Sequence, residues 1–185
     1  MTKSHLRLFW WITTLVYVIF IYTTLSVASV WWDNFNAFLG GKAVTLVFII
    51  CALIGLSVLA HMIFIKKEKC LESYFSFVFF LVIYLYLVSI SRFAVDKVHL
   101  LQFGLLSVFL YNALKVDISR YDIMLYVFGV LICVLVAFFD ETIQLYLPNR
   151  VFDWKDVLFD SVSSLITFLI IRINILKSSI EEGSC

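Results

Sequence analysis

Two runs of the chain, residues 8–32 and 73–91, carry no charged side chain, and a third, 43–65, is broken only by His61. No other feature constrains the fold as much. A helix rises about 1.5 Å per residue, so about 20 apolar residues in a row cover the roughly 30 Å of hydrocarbon in a bilayer. In lipid every backbone N–H and C=O needs a partner within the protein, which leaves helices as the structure for segments like these. The 185 residues are 63% hydrophobic and 15% charged, and a soluble domain so composed would expose far larger apolar patches than monomers tolerate. The chain is therefore expected to be an all-α, polytopic transmembrane helix bundle.

Six spans can be placed, at about 8–30, 43–65, 73–91, 96–114, 121–140 and 156–176. Lys3 and Arg7 precede the first run as they would in a signal peptide, but the run is too long for a cleaved apolar region and is read as an uncleaved helix. There is no internal repeat and no linker that would separate a second domain. Residues 1–70 read as two N-terminal transmembrane helices, 71–177 as the segment that carries the polar motifs, and 178–185 as a short tail.

Loop lysines and arginines set the orientation of such a bundle. Nine fall on one side (Lys3, Arg7, Lys66, Lys67, Lys69, Lys115, Arg120, Arg172 and Lys177) and five on the other (Lys42, Arg92, Lys97, Arg150 and Lys155). Both termini are expected in the cytoplasm. A net charge of +1 with no basic stripe gives no reason to expect nucleic acid as a partner; membrane lipids are the expected one. Cys51, Cys70, Cys133 and Cys185 show neither ligand spacing nor a disulfide framework.

Against this apolar background, residues 138–160 (FFDETIQLYLPNRVFDWKDVLFD) hold five acidic and two basic side chains. In the six-span topology the start of the fourth helix, the end of the fifth and the start of the sixth share the non-cytoplasmic face. Asp96 and His99 are three residues apart and share a helix face; Asp140 and Gln144, and Asp156 and Asp160, are each four apart and do the same. Asp160 lies about 6 Å deeper than Asp156. An ionised Asp near the bilayer centre costs roughly 2.5–3.5 kcal/mol, so it should face protein or water. Arg92, Lys97, Arg150 and Lys155 are the counter-charges at hand.

Plainer roles compete for several of these residues. Asp153 and Asp156 suit the N-terminus of a helix, and Lys97 and Lys155 suit the interface, where long side chains snorkel. His61 reads as a boundary residue. Trp10, Trp11, Trp31 and Trp32 suit an aromatic belt. There is no HExxH, GxSxG or P-loop motif. Ser91-Arg92 with His99 matches a lipid-phosphatase signature poorly, being one residue too long. Asp96, Asp140 and Glu141 have the ligand type for a hard divalent cation, but carboxylates beside arginine and lysine are more often ion-paired. No metal and no cofactor are expected.

The segments DKVHLLQFGLL (96–106), DETIQLYLPNR (140–150) and DWKDVLFDSVSS (153–164) resemble the VanZ-like family. Asp96, Lys97 and His99 match its first element, Asp140, Glu141, Gln144 and Arg150 its second, and Asp156 the start of its third, over roughly residues 75–172. Asp160 stands where the family commonly has asparagine, Ser163 where it has glycine, and Asp153 where serine is frequent. The resemblance implies a small multi-span protein of a bacterial inner membrane, with a site facing the envelope and a link to resistance to the glycopeptide teicoplanin.

Three functions are open on these residues. One is a pocket for an anionic headgroup or a lipid-linked or cell-wall component. It would be formed by Arg92, Asp96, Lys97, His99, Asp140, Glu141, Gln144, Arg150, Asp156 and Asp160, with arginine and lysine holding the anion. The second is an enzyme acting on a lipid-linked substrate, with His99, Asp140 and Glu141 as candidate catalytic groups but no evident nucleophile. The third is an ion-pair network that only locks helices together.

Overall fold

A computed structural model describes residues 2–60, 63–64, 71–90, 94–147 and 151–183, the side chains of 26–29, 33, 51, 71–73, 76, 88, 90, 94–97 and 176–183 excepted. The described residues form six helices and no strand: α1 (Lys3–Phe38), α2 (Ala43–Ala60), α3 (Leu71–Ile90), α4 (Ala94–Leu114), α5 (Ile123–Gln144) and α6 (Trp154–Gly183). Lys3–Leu25, Ala43–Ala60, Ile123–Gln144 and Trp154–Ile175 are long and apolar enough to cross a membrane, and Phe77–Leu87 and Val98–Leu114 are shorter apolar stretches. Leu15, Phe20, Leu53, Val82, Leu131 and Leu158 all point outward, more than half exposed. An outer surface this apolar is what a lipid-facing bundle presents.

Several boundaries differ from the sequence expectation. With 36 residues, α1 is about 54 Å long and outreaches the hydrocarbon it was expected to span from 8 to 30. Thr2 caps its first turn, accepting from the His5 backbone N–H at 3.4 Å. Nothing stops it until Gly40 and Gly41, whose positive φ values of 58° and 82° form the turn into α2. At the start of α5, Asp122 is a cap rather than an interior residue, accepting from the Met124 N–H at 2.9 Å. The end of α5 runs four residues beyond the expected 140, because Asp140, Glu141 and Gln144 stay helical and turn inward. The expected second helix, 43–65, is α2 only to Ala60; His61 lies outside the described residues.

The centre of the bundle is α4 against α6. α4 also touches α1 and α5, and α6 also touches α3 and α5, while α2 contacts only α3 and α1 among the pairs that pack substantially. Phe103, Leu106, Leu110, Leu125, Cys133 and Phe168 are fully or almost fully buried between these helices. Helix association in lipid lacks a strong hydrophobic drive, so close approach at small residues and inter-helix hydrogen bonds carry more of the load. Both are present. A Cβ at Gly104 would lie 3.5 Å from Thr167 Oγ1 and 3.7 Å from Ser163 Oγ, so α4 and α6 meet over small residues. The α1 tyrosines reach across the bundle: Tyr17 donates to the Gln102 carbonyl at 3.3 Å and Tyr22 to the Val136 carbonyl at 3.2 Å.

Cationic residues collect at one end. Arg7 pairs with Asp117, tying the start of α1 to the α4–α5 turn. Lys115 lies over the Tyr111 ring, Arg120 over Tyr121 and Arg172 over Tyr126, with cation-to-centroid distances of 5.2, 4.9 and 5.3 Å. The Tyr126 hydroxyl also donates to the Arg120 carbonyl at 2.7 Å. Asp140 and Glu141 of α5 and Asp156 and Asp160 of α6 lie at the opposite end.

Gly129 shows how tight the α5–α6 seam is: a Cβ there would sit 2.2 Å from Phe168 Cζ, on a ring only 1% exposed. Gly129→Ala is expected to destabilise the purified protein by about 1–3 kcal/mol through overpacking. A fall in detergent melting temperature that Phe168→Leu partly restores in the double variant would establish the contact; unchanged melting would refute it.

Candidate functional site

The last turn of α5 presents Asp140, Glu141 and Gln144 to the interior, with relative exposures of 0%, 1% and 4%. Burying two carboxylates in an apolar bundle is costly unless donors reach them. The Gln144 side-chain amide supplies two, donating to Asp140 Oδ2 at 3.2 Å and to Glu141 Oε1 at 2.6 Å. The second Glu141 oxygen, Oε2, accepts from the Asp153 backbone N–H at 3.0 Å. Glu141 thereby ties the end of α5 to the residue that starts α6.

Asp153 is the cap of α6. Its Oδ1 accepts from the Lys155 N–H at 2.8 Å, and its carbonyl accepts from the Asp156 N–H at 3.1 Å. Phe138, Phe152 and Trp154 stack around this junction, with ring centroids 4.8 Å apart for Phe152 and Trp154 and 5.9 Å for each with Phe138. The connection from α5 to α6 is thus anchored by a carboxylate inside and an aromatic cluster beside it.

His99 enters from α4 and Asp160 from α6. His99 Nδ1 lies 3.5 Å from Asp140 Oδ2 and 3.7 Å from Asp160 Oδ2, and the three side chains are 11%, 1% and 3% exposed. One turn deeper on α6, Ser163 Oγ donates to the Leu100 carbonyl at 2.6 Å, and Ser164 Oγ reaches the Phe103 carbonyl at 3.5 Å. These bonds set the register of α6 on α4, and with it the approach of Asp160 to His99. The other Asp140 oxygen, Oδ1, is buried and has no hydrogen-bond partner among the described residues.

Three helices therefore converge on one acidic–histidine cluster. A model of the VanZ/LLP1 family matches residues 3–176 of the chain. The chain belongs to the VanZ/LLP1 family. Neither a curated protein nor a solved structure matches it. The match takes in α1 and α2 as well as the motif-bearing helices that carry the resemblance in the sequence.

Of the expected site residues, this VanZ/LLP1 chain brings His99, Asp140, Glu141, Gln144 and Asp160 together. Asp156 lies half-buried in the first turn of α6, one turn above Asp160. Arg92 and Arg150 lie outside the described residues, and for Asp96 and Lys97 only their place in the first turn of α4 is described. Ser163, Asp153 and Asp160 divide by role. Ser163 and Asp153 are spent on helix register and capping. Only Asp160 puts a new charged group within reach of His99.

Sequence reasoning did not find the apolar groove beside the cluster. It holds about 310 Å³ between α1 and α4, walled by Phe20, Trp31, Trp32 and Phe35 on one side and by Val98, His99 and Gln102 on the other. Trp31 and Trp32 read as belt residues, and their spacing to Phe35, Thr24 and Phe20 at successive intervals of one or two helical turns was the available signal.

Gln144→Leu would leave Asp140 and Glu141 without their shared donor. The expected cost is about 1–3 kcal/mol for stranded buried acceptors, read as a lower melting temperature in detergent. An unchanged melting temperature would mean that the carboxylates do not depend on it.

Proposed function

We propose that this VanZ/LLP1 protein crosses a bacterial inner membrane six times with both termini in the cytoplasm, and binds the polar head of an envelope amphiphile at its outer face. The amphiphile is a lipid or a lipid-linked cell-wall component, and its binding alters susceptibility to glycopeptides such as teicoplanin.

The observation that carries this reading is the double role of His99. It walls the apolar groove and also faces Asp140 and Asp160. An apolar cleft that ends on a polar cluster suits a molecule with an alkyl or isoprenyl chain and a polar head. The groove opens beside lipid-exposed Phe20, so the chain of such a molecule can enter from the bilayer. Arg92 and Lys97, near His99 in sequence, and Arg150, near Gln144, supply the positive charge that an anionic head requires. The clustering of Arg7, Lys115, Arg120 and Arg172 at the end away from the site supports an outward-facing cluster.

A membrane enzyme using His99 as acid/base is the second reading, favoured by the two carboxylates at its Nδ1. Ser163 and Ser164, the hydroxyls next to the cluster, are held on backbone carbonyls, which leaves them poorly placed as nucleophiles.

Orientation is tested in a variant with the four native cysteines replaced. Tyr146→Cys, at a position 85% exposed, should react with a membrane-impermeant maleimide in intact cells, and Ser119→Cys, exposed at the opposite end, only after lysis. The reverse pattern would overturn the outward assignment.

Function is tested by the minimal inhibitory concentration of teicoplanin in a susceptible bacterium, at matched membrane abundance. Wild type should raise it, whereas Asp140→Asn and the groove-filling Thr24→Trp should not. Protection that survives both variants would remove the site from the function, and no protection by wild type would end the glycopeptide link.

A further inference from the structure

The cluster has a feature that a headgroup pocket does not by itself explain. Three potential ligand atoms, one each from His99, Asp140 and Asp160, lie within 4.8 Å of one another, on residues 8%, 0% and 2% exposed. They come from three different helices. We propose that His99 Nδ1, a carboxylate oxygen of Asp140 and one of Asp160 bind a single divalent first-row transition ion.

At 3.5 and 3.7 Å, the separations from His99 Nδ1 to the two carboxylates are long for hydrogen bonds, whose N···O distances run about 2.7–3.2 Å. They are close to the edge of a coordination polyhedron whose metal–ligand bonds are about 2.0–2.2 Å. Small rotations of the side chains would bring the third pair into the same range.

Asp140 Oδ2 accepts from Gln144, but the buried Oδ1 has no donor among the described residues. A buried carboxylate oxygen without a donor is destabilising, and a cation supplies the missing partner. An ion of charge +2 also offsets the repulsion between Asp140 and Asp160, which is strong where water is scarce.

The ligand types narrow the ion. Ca²⁺ and Mg²⁺ favour all-oxygen sites, whereas one imidazole with two carboxylates suits Zn²⁺, Mn²⁺ or Fe²⁺. The surroundings resemble the outer shell of such sites, in which ligating carboxylates are held by hydrogen bonds. Gln144 orients Asp140, and Ser163 fixes the backbone beside His99.

This set differs from the one that the sequence offered for a hard cation. Both Glu141 oxygens are taken, by Gln144 and by the Asp153 N–H, while His99 and Asp160 complete the site instead. Asp160 makes this ligand set dianionic. Three protein ligands leave a coordination position for an outside oxygen donor, on the side where His99 meets the groove. The metal site stands without the amphiphile reading; if both hold, the ion adds positive charge toward a phosphate head.

The test uses the full chain in detergent with any affinity tag removed, stripped with a chelator, reloaded with Zn²⁺ or Mn²⁺ and desalted. Wild type should retain the ion in equimolar amount by elemental analysis, Asp140→Asn and Asp160→Asn should retain about tenfold less or below, and Ser161→Ala should match wild type. X-ray absorption at the zinc edge of wild type should show one imidazole nitrogen and oxygen neighbours. That readout needs no variant, so it decides the matter even where the asparagine variants misfold. Wild type that retains no ion, folded variants that retain as much as wild type, or a zinc edge dominated by sulfur would each overturn the proposal.

Discussion

The hydroxyl of Ser163 on the Leu100 carbonyl is the contact on which the rest of the arrangement depends. It sits where α4 and α6 approach over Gly104, Ser163 and Thr167, and it fixes which turn of α6 lies opposite which turn of α4. His99 precedes Leu100 by one residue, and Asp160 precedes Ser163 by three. Their proximity therefore follows from this register rather than from any attraction between the two side chains. A serine at this position keeps the approach close and adds a bond that lipid cannot offer.

Given that register, the bundle has to accommodate acid in its interior, and it does so unevenly. Glu141 is fully engaged, with one oxygen on Gln144 and the other on the backbone that begins α6, so its role is to fasten two helices. Asp140, one residue earlier and fully buried, keeps an oxygen without a partner among the described residues. Adjacent residues of the same chemical type thus have opposite characters, one structural and one available. In a membrane interior, an available buried carboxylate is more naturally explained by a ligand than by folding, since folding alone is better served by an apolar residue or a neutral amide.

Much of this was legible in the sequence. Uncharged runs of bilayer length pointed to the helical class, and the expected alternation of six helices put His99, Asp140 and Asp160 at one end, where the structure also brings them together. Helix ends were less legible. α1 extends to Phe38 because aromatic and polar interface residues are compatible with a helix and only Gly40-Gly41 breaks it. α5 runs through Asp140 and Gln144 because the Gln144 amide donates to Asp140 and Glu141 within the same helix, whereas charge alone had suggested an end. The groove was not legible, since a tryptophan at the interface has the same sequence signature whether it faces lipid or walls a cleft. Nor was the division of labour among the acidic residues, which depends on which oxygen meets which donor.

The charge of the described site bears on what it can hold. Asp140, Glu141 and Asp160 surround a single imidazole, so on these groups alone an anion would be repelled. An anionic headgroup becomes compatible when positive charge is added, either from the arginines and lysine near the motif in sequence or from a cation among the carboxylates. The two sources differ in placement. Arginine recognises phosphate from the pocket rim by paired hydrogen bonds, whereas an ion bound between His99, Asp140 and Asp160 would draw a phosphate oxygen to the inner end of the groove, against His99. In the second arrangement the α1–α4 groove, which ends on His99, can take the ligand's apolar chain, and α1, outside the segment that bears the motifs, becomes part of the binding site.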